Sequence, residues 1–484
     1  MAAVAEKLAR PAPDTLLSAK GTHRKLGYLA LGIALLLASR VLPSPAGMKP
    51  EAVRTLAVMA VTILWWSTET FPIAITALMV PVMLHALGLV PLVDAVKDGF
   101  GNAVVPFTIG VLGLSAAFNS SGLGKRIAYR LLSVAGTGTA MVTGVFLWMS
   151  FLASMFMDDI AVVVMMLPMV LEILEALKAE PKRSNFGKAL MMAVMFGAIL
   201  GGIATPAGVS ANMITLAFLS KNANQHVSFL HWTVLSTPIS LAINAVTWWL
   251  ILWLFPPEIK KFPFTRDMLR AELKSLGRWT TAEKTTMTVA LVAAALWLTS
   301  DWTALPTAFV SLLILGGISL PGVGVFRNWN DLNRKIEWGG VLLLIGGLIV
   351  GIAASRSGLA DWTVHAALYK MASIPMLLQP AAIVILVAVD SLGFASFGTT
   401  ASVNVPLVIA YAQQNGLPVL ALALSAAYAS SVHCILVTQT PSIAVPYAYG
   451  YFTFKDLAKI GILVTLVTAI LTTLGMMLAG MPAS

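Results

Sequence analysis

The sequence is poor in charge. Only 11% of its 484 residues are Asp, Glu, Lys or Arg, whereas 58% are hydrophobic. A soluble globular protein carries roughly a quarter charged residues, because its surface must stay in water. So few charges cannot keep a surface of the required size in water. The composition therefore excludes a chain of soluble domains and indicates a protein that is solvated by lipid.

Cysteine and enzymatic motifs are also scarce. The single cysteine, Cys434, excludes a disulfide framework and a metal site built from several cysteines. No P-loop, HExxH, GxSxG or nucleotide-binding fingerprint occurs. We therefore expect neither an enzyme nor ATP-driven transport within this chain, and no organic cofactor. A membrane-bound enzyme or sensor is a weak alternative, because no catalytic constellation or soluble domain is present.

Positive charge is in excess, with a formal net charge of +10, but its placement argues against nucleic acid as a partner. Lys and Arg form short clusters between apolar runs, as in loops retained in the cytoplasm. One such cluster precedes the first apolar run and comprises Lys7, Arg10, Lys20, Arg24 and Lys25. It predicts a cytoplasmic N-terminus in a multi-pass protein of the cell membrane.

Apolar runs follow one another along nearly the whole chain, and several, such as 206–220, are shorter than the ~20 residues of a spanning helix. Short apolar pieces broken by Gly and Pro are typical of discontinuous helices and re-entrant hairpins. We predict an all-α polytopic membrane protein with about eleven transmembrane helices plus two re-entrant hairpins. Its parts are a cytoplasmic segment (1–25), a first half (26–255), a basic connector (256–284) and a second half (285–484).

The two halves resemble each other. Ser121-Gly122-Leu123 in the first half recurs as Ser357-Gly358-Leu359, an offset of 236 residues, and Pro168 corresponds to Pro406, an offset of 238. A nearly constant offset indicates an internal repeat. Repeats in membrane proteins are typical of alternating-access transporters, with the substrate site at the repeat interface. The alternative is a duplication with a purely structural role.

Asp158 and Asp159 are the only charged residues between Gly138 and Leu171. A carboxylate deep in a bilayer costs several kcal/mol and marks a functional site. The pair could bind Na⁺ or carry a proton, and Ser154 lies one helical turn before Asp158. The alternative is a pair that neutralises an Arg elsewhere or lies at a helix N-terminus.

The equivalent segment of the second half is rich in hydroxyls, with Ser396, Gly398, Thr399 and Thr400. Asp390 precedes it and is either a second acidic site or an interfacial acid.

A break containing proline follows each of these regions. The first spans Gly201 to Gly208 and includes Thr205-Pro206, with Asn212 after it. The second contains Thr440-Pro441. Backbone N–H and C=O groups that lose their helical hydrogen bonds at membrane depth are tolerated only where they line a cavity or are buried in protein. Helix N-termini favour an anion and freed carbonyls a cation. A plain proline kink is the alternative.

At this point the chain resembles the divalent anion/sodium symporter family, whose members transport dicarboxylates, citrate and sulfate. The resemblance runs nearly end to end. Trp66-Ser67-Thr68-Glu69-Thr70-Phe71-Pro72 is similar to the family's early signature. The segment Ser121 to Ala128 looks like the end of its first re-entrant hairpin with the interfacial helix after it, and Thr440-Pro441 followed by Gly450-Tyr451 is similar to its second post-hairpin loop.

The resemblance implies two inverted repeats, a scaffold domain and a moving transport domain, a homodimer and elevator-like alternating access. The chain departs from the family at the hairpin tips. The family's Ser-Asn-Thr motifs are replaced by Asp158-Asp159-Ile160 and by Ser396-Phe397-Gly398. Ser154 and Asn212 match the family's pattern, whereas their counterparts in the second half are Leu392 and Ile443. The resemblance therefore implies a first cation site that is retained and more acidic, and another, in the second half, that is degraded.

We therefore expect a secondary transporter that couples Na⁺ or H⁺ to the movement of a small anion. The alternative is a cation/proton antiporter that uses Asp158 and Asp159 without an organic substrate. The candidate cation-binding residues are Ser154, Asp158, Asp159 and Gly208. The candidate substrate-binding residues are Thr205, Pro206, Asn212, Ser396, Gly398, Thr399, Thr400, Thr440 and Pro441.

Overall fold

A computed structural model describes the protein over residues 19–135, 138–259, 271, 273–365, 369–394 and 396–480. Most of the predicted segment 1–25 and the middle of the connector 256–284 lie outside the described residues. Within the described ranges the regular structure is helical, without strands. The helices of the first half are α1 (Ala19–Ala38), α2 (Pro50–Thr68), α3 (Ile73–Ala86), α4 (Leu92–Phe100), α5 (Val104–Ser121), α6 (Leu123–Ala135), α7 (Thr139–Ser154), α8 (Asp159–Ala176), α9 (Asn185–Ala204), α10 (Ser210–Asn222) and α11 (Phe229–Leu254).

The second half contains a similar series of helices, joined in places by short 3-10 turns. These helices are α12 (Thr281–Leu298), α13 (Ser300–Thr303), α14 (Thr307–Ile318), α15 (Trp329–Asn333), α16 (Trp338–Arg356), α17 (Leu359–Thr363), α18 (Gln379–Asp390), α19 (Phe397–Gln414), α20 (Val419–Val432), α21 (Pro441–Tyr447) and α22 (Phe454–Leu478). The order α5 to α11 therefore matches the order α16 to α22. The inverted relation of the halves and their division into scaffold and transport domains stay predictions.

Several helices have the length and composition of membrane spans. In the described part of the chain, six helical segments are long and apolar enough to cross a membrane, and four shorter apolar helices accompany them. The shorter ones include both α7 and α20, which end at the predicted hairpin and at the predicted break. The all-helical membrane fold agrees with the prediction, while the count of about eleven spans stays a prediction.

Each half contains a helical hairpin. In the first half α7 and α8 are joined by residues 155–158, and in the second half α18 and α19 are joined through the 3-10 turn Ser391–Gly393. One expectation was wrong in detail. The segment that ends at Ser121 is the single continuous helix α5, and not a hairpin. Gly122 ends it with φ of +78°, and the hairpin is formed by the following pair of helices.

The two helix breaks lie where Thr-Pro dipeptides occur. Thr205 ends α9 with φ of −131° and ψ of 159°, and Thr440 precedes α21 with φ of −158° and ψ of 148°. A residue before proline is pushed out of the helical region by the proline ring, which explains both extended conformations. Pro441 itself begins α21, the position where its missing N–H costs nothing.

Helix α9 is the most deeply buried of the six long apolar helical segments, with 94% of its apolar stretch buried. It packs against α7 and α11. A Cβ atom at Gly197 would overlap the carbonyl oxygen of Leu147, and one at Gly201 would overlap that of Phe151. Small residues four apart let two membrane helices approach closely. The Gly197/Gly201 face therefore fixes α9 against the first arm of the hairpin.

Candidate functional site

A cavity of about 170 Å³ lies between the two hairpins and the two breaks. Its lining includes the N-cap residues of five helices, one from each of α8, α10, α16, α19 and α21. These N-caps are Asp158, Val209, Glu337, Ser396 and Thr440. The first turn of a helix has free N–H groups and a partial positive charge. The convergence of long helices α8, α10, α16 and α19 therefore gives the cavity a positive backbone potential.

The carboxylate of Asp158 uses one of these helix ends itself. Its Oδ1 accepts a hydrogen bond from the backbone N–H of Ile160 at 3.1 Å. The backbone N–H of Asp158 in turn donates to Ser115 Oγ on α5 at 3.1 Å. Val209, Glu337 and Ser396 provide no side-chain cap to α10, α16 and α19. Among these four N-caps, Asp158 of the first hairpin is therefore the one whose charged side chain caps its own helix.

Asp159 is almost fully buried, with 3% of its surface exposed. Ser442 on α21 donates its hydroxyl to Asp159 Oδ2. This hydrogen bond connects the first hairpin to the second break, across 283 residues of sequence. A buried carboxylate needs such donors, because it has lost those of water. The contact makes Ser442 part of the site, which the sequence did not indicate.

Glu337 is a third acidic residue in the lining, and it was not among the predicted site residues. The signal in the sequence was its place directly before Trp338-Gly339-Gly340, where the second half's repeat begins. Among the lining residues that the structure describes, three are acidic and none is Lys or Arg. Even so, no three His, Cys, Asp or Glu side chains of the described ranges are grouped to hold a metal ion. A cation here would therefore be bound by the aspartates with neutral oxygens.

The structure brings six of the predicted site residues to the cavity. They are Asp158, Asp159, Gly208, Ser396, Thr440 and Pro441. The other predicted residues lie outside its lining. Ser154 donates to the carbonyl of Met157 at 3.3 Å, and Thr205 donates to the carbonyl of Met155, so both hydroxyls hold the turn of the first hairpin.

Asn212 closes the first break and does not face the cavity. Its Nδ2 donates to the carbonyls of Gly202 and Thr205 at 2.7 and 2.8 Å. These are backbone acceptors that the break leaves without helical partners. Asn212 Oδ1 is buried and has no hydrogen-bond partner among the described residues. Pro206 belongs to the same break.

In the second half, Gly398, Thr399 and Thr400 form the first turn of α19, directly behind Ser396. A Cβ atom at Gly398 would lie 2.9 Å from Leu343 Cδ2 and 3.0 Å from Ser210 Oγ. The absence of a side chain thus lets the N-terminal turn of α19 approach that of α10. Thr400 donates to the carbonyl of Ser396 at 3.1 Å and is fully buried.

Asp390 lies away from the cavity. It is exposed at the end of α18, and its Oδ2 accepts a hydrogen bond from Asn404 Nδ2 at 2.7 Å. The first half therefore places both aspartates of its hairpin in the cavity lining, whereas the second half contributes Glu337 from the start of α16 and keeps Asp390 outside.

Comparison with known proteins places the chain among transporters. The family described as "Sodium:sulfate symporter transmembrane region" matches residues 23–482. The sodium-dependent dicarboxylate transporter SdcS of Staphylococcus saprophyticus is 26% identical over 471 residues, covering 92% of this chain and 89% of the relative. The transporter of the same name from Staphylococcus aureus is 26% identical over 474 residues, with the same coverage.

The fold is similar to a solved structure, the YdaH transporter of Alcanivorax borkumensis. The TM-score is 0.58, with 14% sequence identity, and the match covers 95% of this chain and 99% of the other. This likeness concerns the fold alone. It agrees with the predicted all-helical, multi-pass membrane architecture.

These findings confirm the resemblance that the motifs indicated. The matched family and the relatives are transporters and not enzymes, as expected from the sequence. They do not favour the cation/proton antiporter. With the family match running over nearly its full length, the chain belongs to the sodium:sulfate symporter family of membrane transporters.

Proposed function

We propose that this protein carries a small dianion, of the dicarboxylate or sulfate kind, across the cell membrane together with Na⁺. The observation that carries the proposal is the meeting of several helix N-termini with Asp158 and Asp159 in one cavity. Helix N-termini attract an anion and carboxylates attract a cation, so the cavity offers both partners of a symport reaction. The relatives' sodium dependence and dicarboxylate substrates support the choice of ions.

The charges set the order of binding. A unit negative charge 4 Å from another is repelled by about 4 kcal/mol at an effective dielectric constant of 20. A dianion next to the aspartate pair therefore binds poorly until a cation lies between them. Na⁺ bound at Asp158 and Asp159 neutralises one of their two charges and so lowers this penalty, and the anion then binds at the N-termini of α10 and α19. Both ions cross together, in an elevator-like movement of the transport domain within a homodimer.

The test is uptake into proteoliposomes that contain the purified protein. Radiolabelled succinate and sulfate are supplied in separate experiments, with an inward gradient of Na⁺, of Li⁺, or of protons without Na⁺. We expect uptake of at least one of the two anions, and only with the Na⁺ gradient. Uptake driven equally well by protons alone would replace Na⁺ with H⁺ as the coupling ion.

The antiporter alternative is tested with a pH-sensitive dye inside the same vesicles. A Na⁺ gradient applied without any anion should leave the internal pH unchanged. Proton movement under these conditions, combined with no anion uptake, would contradict symport. Asp390→Asn is the matched control for variants of the cavity acids, because Asp390 is an exposed acid outside the cavity.

A further inference from the structure

The side chain of Gln439 is buried within the second break. Gln439 has no exposed surface and lies in the 3-10 turn Val437–Gln439, between α20 and α21. Its Oε1 accepts hydrogen bonds from the backbone N–H groups of Ile435 and Leu436, at 2.8 and 2.7 Å. Both donors belong to the stretch of chain that the break removes from helix. The side-chain oxygen of Gln439 therefore replaces the carbonyls that a continuous helix would supply.

The nitrogen of the same side chain reaches the second hairpin. Gln439 Nε2 lies 3.3 Å from the carbonyl oxygen of Ser391 and 3.2 Å from its Oγ, donating to both. Ser391 forms the turn of the hairpin, and its own hydroxyl donates to the carbonyl of Ala388 at 2.6 Å. An amide NH₂ has two hydrogens to donate. Both acceptors of Ser391 are thus satisfied by one neutral group from within the chain.

The corresponding place in the first half is arranged differently. There the hairpin turn leads into two carboxylates, Asp158 and Asp159. The break nearby leaves a buried oxygen, Asn212 Oδ1, without a donor among the described residues. Carboxylate, amide and carbonyl oxygens are the ligands that hard cations prefer. The first half therefore offers a cation two carboxylates in the cavity lining. In the second half the oxygens of the hairpin turn at Ser391 already accept from an amide, and the hydroxyls that line the cavity carry no charge.

We propose that the Gln439 amide is a built-in substitute for a coupling cation at the second break, so that each protomer binds a single Na⁺, at the Asp158/Asp159 pair. A cation at the second break would have to displace Nε2 from both Ser391 oxygens and leave a buried NH₂ without acceptors. This inference rests on the proposed sodium coupling. It goes further by assigning the number of cations and the residue that sets it.

The test is a count of bound ²²Na⁺ per protomer at equilibrium, on purified protein that runs as one peak in gel filtration. We expect one Na⁺ in the native chain and none in Asp159→Asn. A count of two in the native chain, or one remaining in Asp159→Asn, would overturn the inference and leave sodium coupling intact. A count of zero in the native chain would instead overturn sodium coupling, and this inference with it.

A second variant tests the role of the amide. Gln439→Glu keeps an oxygen for the N–H groups of Ile435 and Leu436 but places an oxygen, in place of NH₂, against Ser391. The new carboxylate then faces the carbonyl oxygen of Ser391, which cannot donate to it, and a cation between these two oxygens relieves their repulsion. We expect the count to rise from one to two at pH 9, and the Na⁺ dependence of uptake to become sigmoidal. A folded Gln439→Glu protein that still binds one Na⁺ at pH 7 and at pH 9 would contradict the proposal that the Gln439 amide takes the place of a cation.

Discussion

In the first half, hairpin α7–α8 presents Asp158 and Asp159 to the cavity, whereas hairpin α18–α19 presents the neutral Ser396. Behind it, the buried Ser391 accepts hydrogen bonds from the Gln439 amide. Both hairpins are followed by a broken helix, and a Thr-Pro dipeptide lies at the start of the first break and at the end of the second. The order of elements is the same and the chemistry is not. The difference teaches that two matching hairpins can carry different chemistry, with a pair of carboxylates at the tip of one and neutral hydrogen-bonding groups at the tip of the other.

The largest effect is expected where the first half carries its charge. Asp159→Asn should lower Na⁺-driven uptake at least about 100-fold, because a unit charge 4 Å from its counter-ion contributes ~4 kcal/mol at an effective dielectric constant of 20. The control is Asp390→Asn, which should keep most of the uptake. Equal losses of uptake in both variants would contradict the prediction that Asp159, and not Asp390, belongs to the cation site.

The next prediction concerns the packing of the first half. Gly201→Ala should destabilise the protein by about 1–3 kcal/mol, because the added methyl group overlaps a backbone oxygen that cannot move freely. Gly316→Ala is the control, since nothing lies within 4 Å of its added Cβ. Thermal unfolding in detergent measures both. A Gly201→Ala protein as stable as Gly316→Ala would contradict the close contact of α9 with α7.

An effect of similar size, on cation affinity, is expected at the contact between the halves. Ser442→Ala removes the donor to Asp159, and a hydrogen bond to a charged group contributes about 1.5–3 kcal/mol. We expect the Na⁺ concentration for half-maximal uptake to rise about 10-fold or more. Ser425→Ala is the matched control, because Ser425 is buried on α20 and its hydroxyl donates to the carbonyl of Ala421 in its own helix. An unchanged Na⁺ dependence in Ser442→Ala would contradict a contribution of the second break to the cation site.

The smallest effect is expected at the first turn of α19. Gly398→Ala places a methyl group about 3 Å from Leu343 and Ser210, so the N-termini of α19 and α10 must move apart slightly. We expect a few-fold weaker apparent affinity for the anion, since helix-end electrostatics amount to ~0.3–1 kcal/mol. Gly393→Ala, with no atom near its added Cβ, serves as control. A change in Na⁺ affinity instead of anion affinity would contradict the separation of the two sites.

Local features of the structure could be predicted from the sequence. The Thr-Pro dipeptides predicted both breaks, because proline restricts the residue before it whatever the surroundings. The aspartate pair was recognisable because charge in a long apolar run is costly. Family membership followed from the motifs, and the comparisons confirm it.

Contacts between distant segments could not be predicted in the same way. Ser442 and Ser115 resemble ordinary polar residues of apolar helices, and only the packing of α21 and α5 brings them to the aspartates. Glu337 resembles an acid at the membrane surface until α16 places it on the cavity. Asn212 was expected to bind substrate, but its amide donates to the backbone of its own break. The sequence does not show which of several possible acceptors a side chain will reach.

The double hydrogen bond of Asn212 has a mechanical consequence. A break in a helix is often a flexible point, yet bending this one would separate Nδ2 of the buried Asn212 from the carbonyls of Gly202 and Thr205. The hydrogen bonds of Asn212 therefore hold this break in one conformation. Two such hydrogen bonds together contribute about 1–3 kcal/mol, so they favour one orientation of α10 relative to α9 and oppose bending at the break.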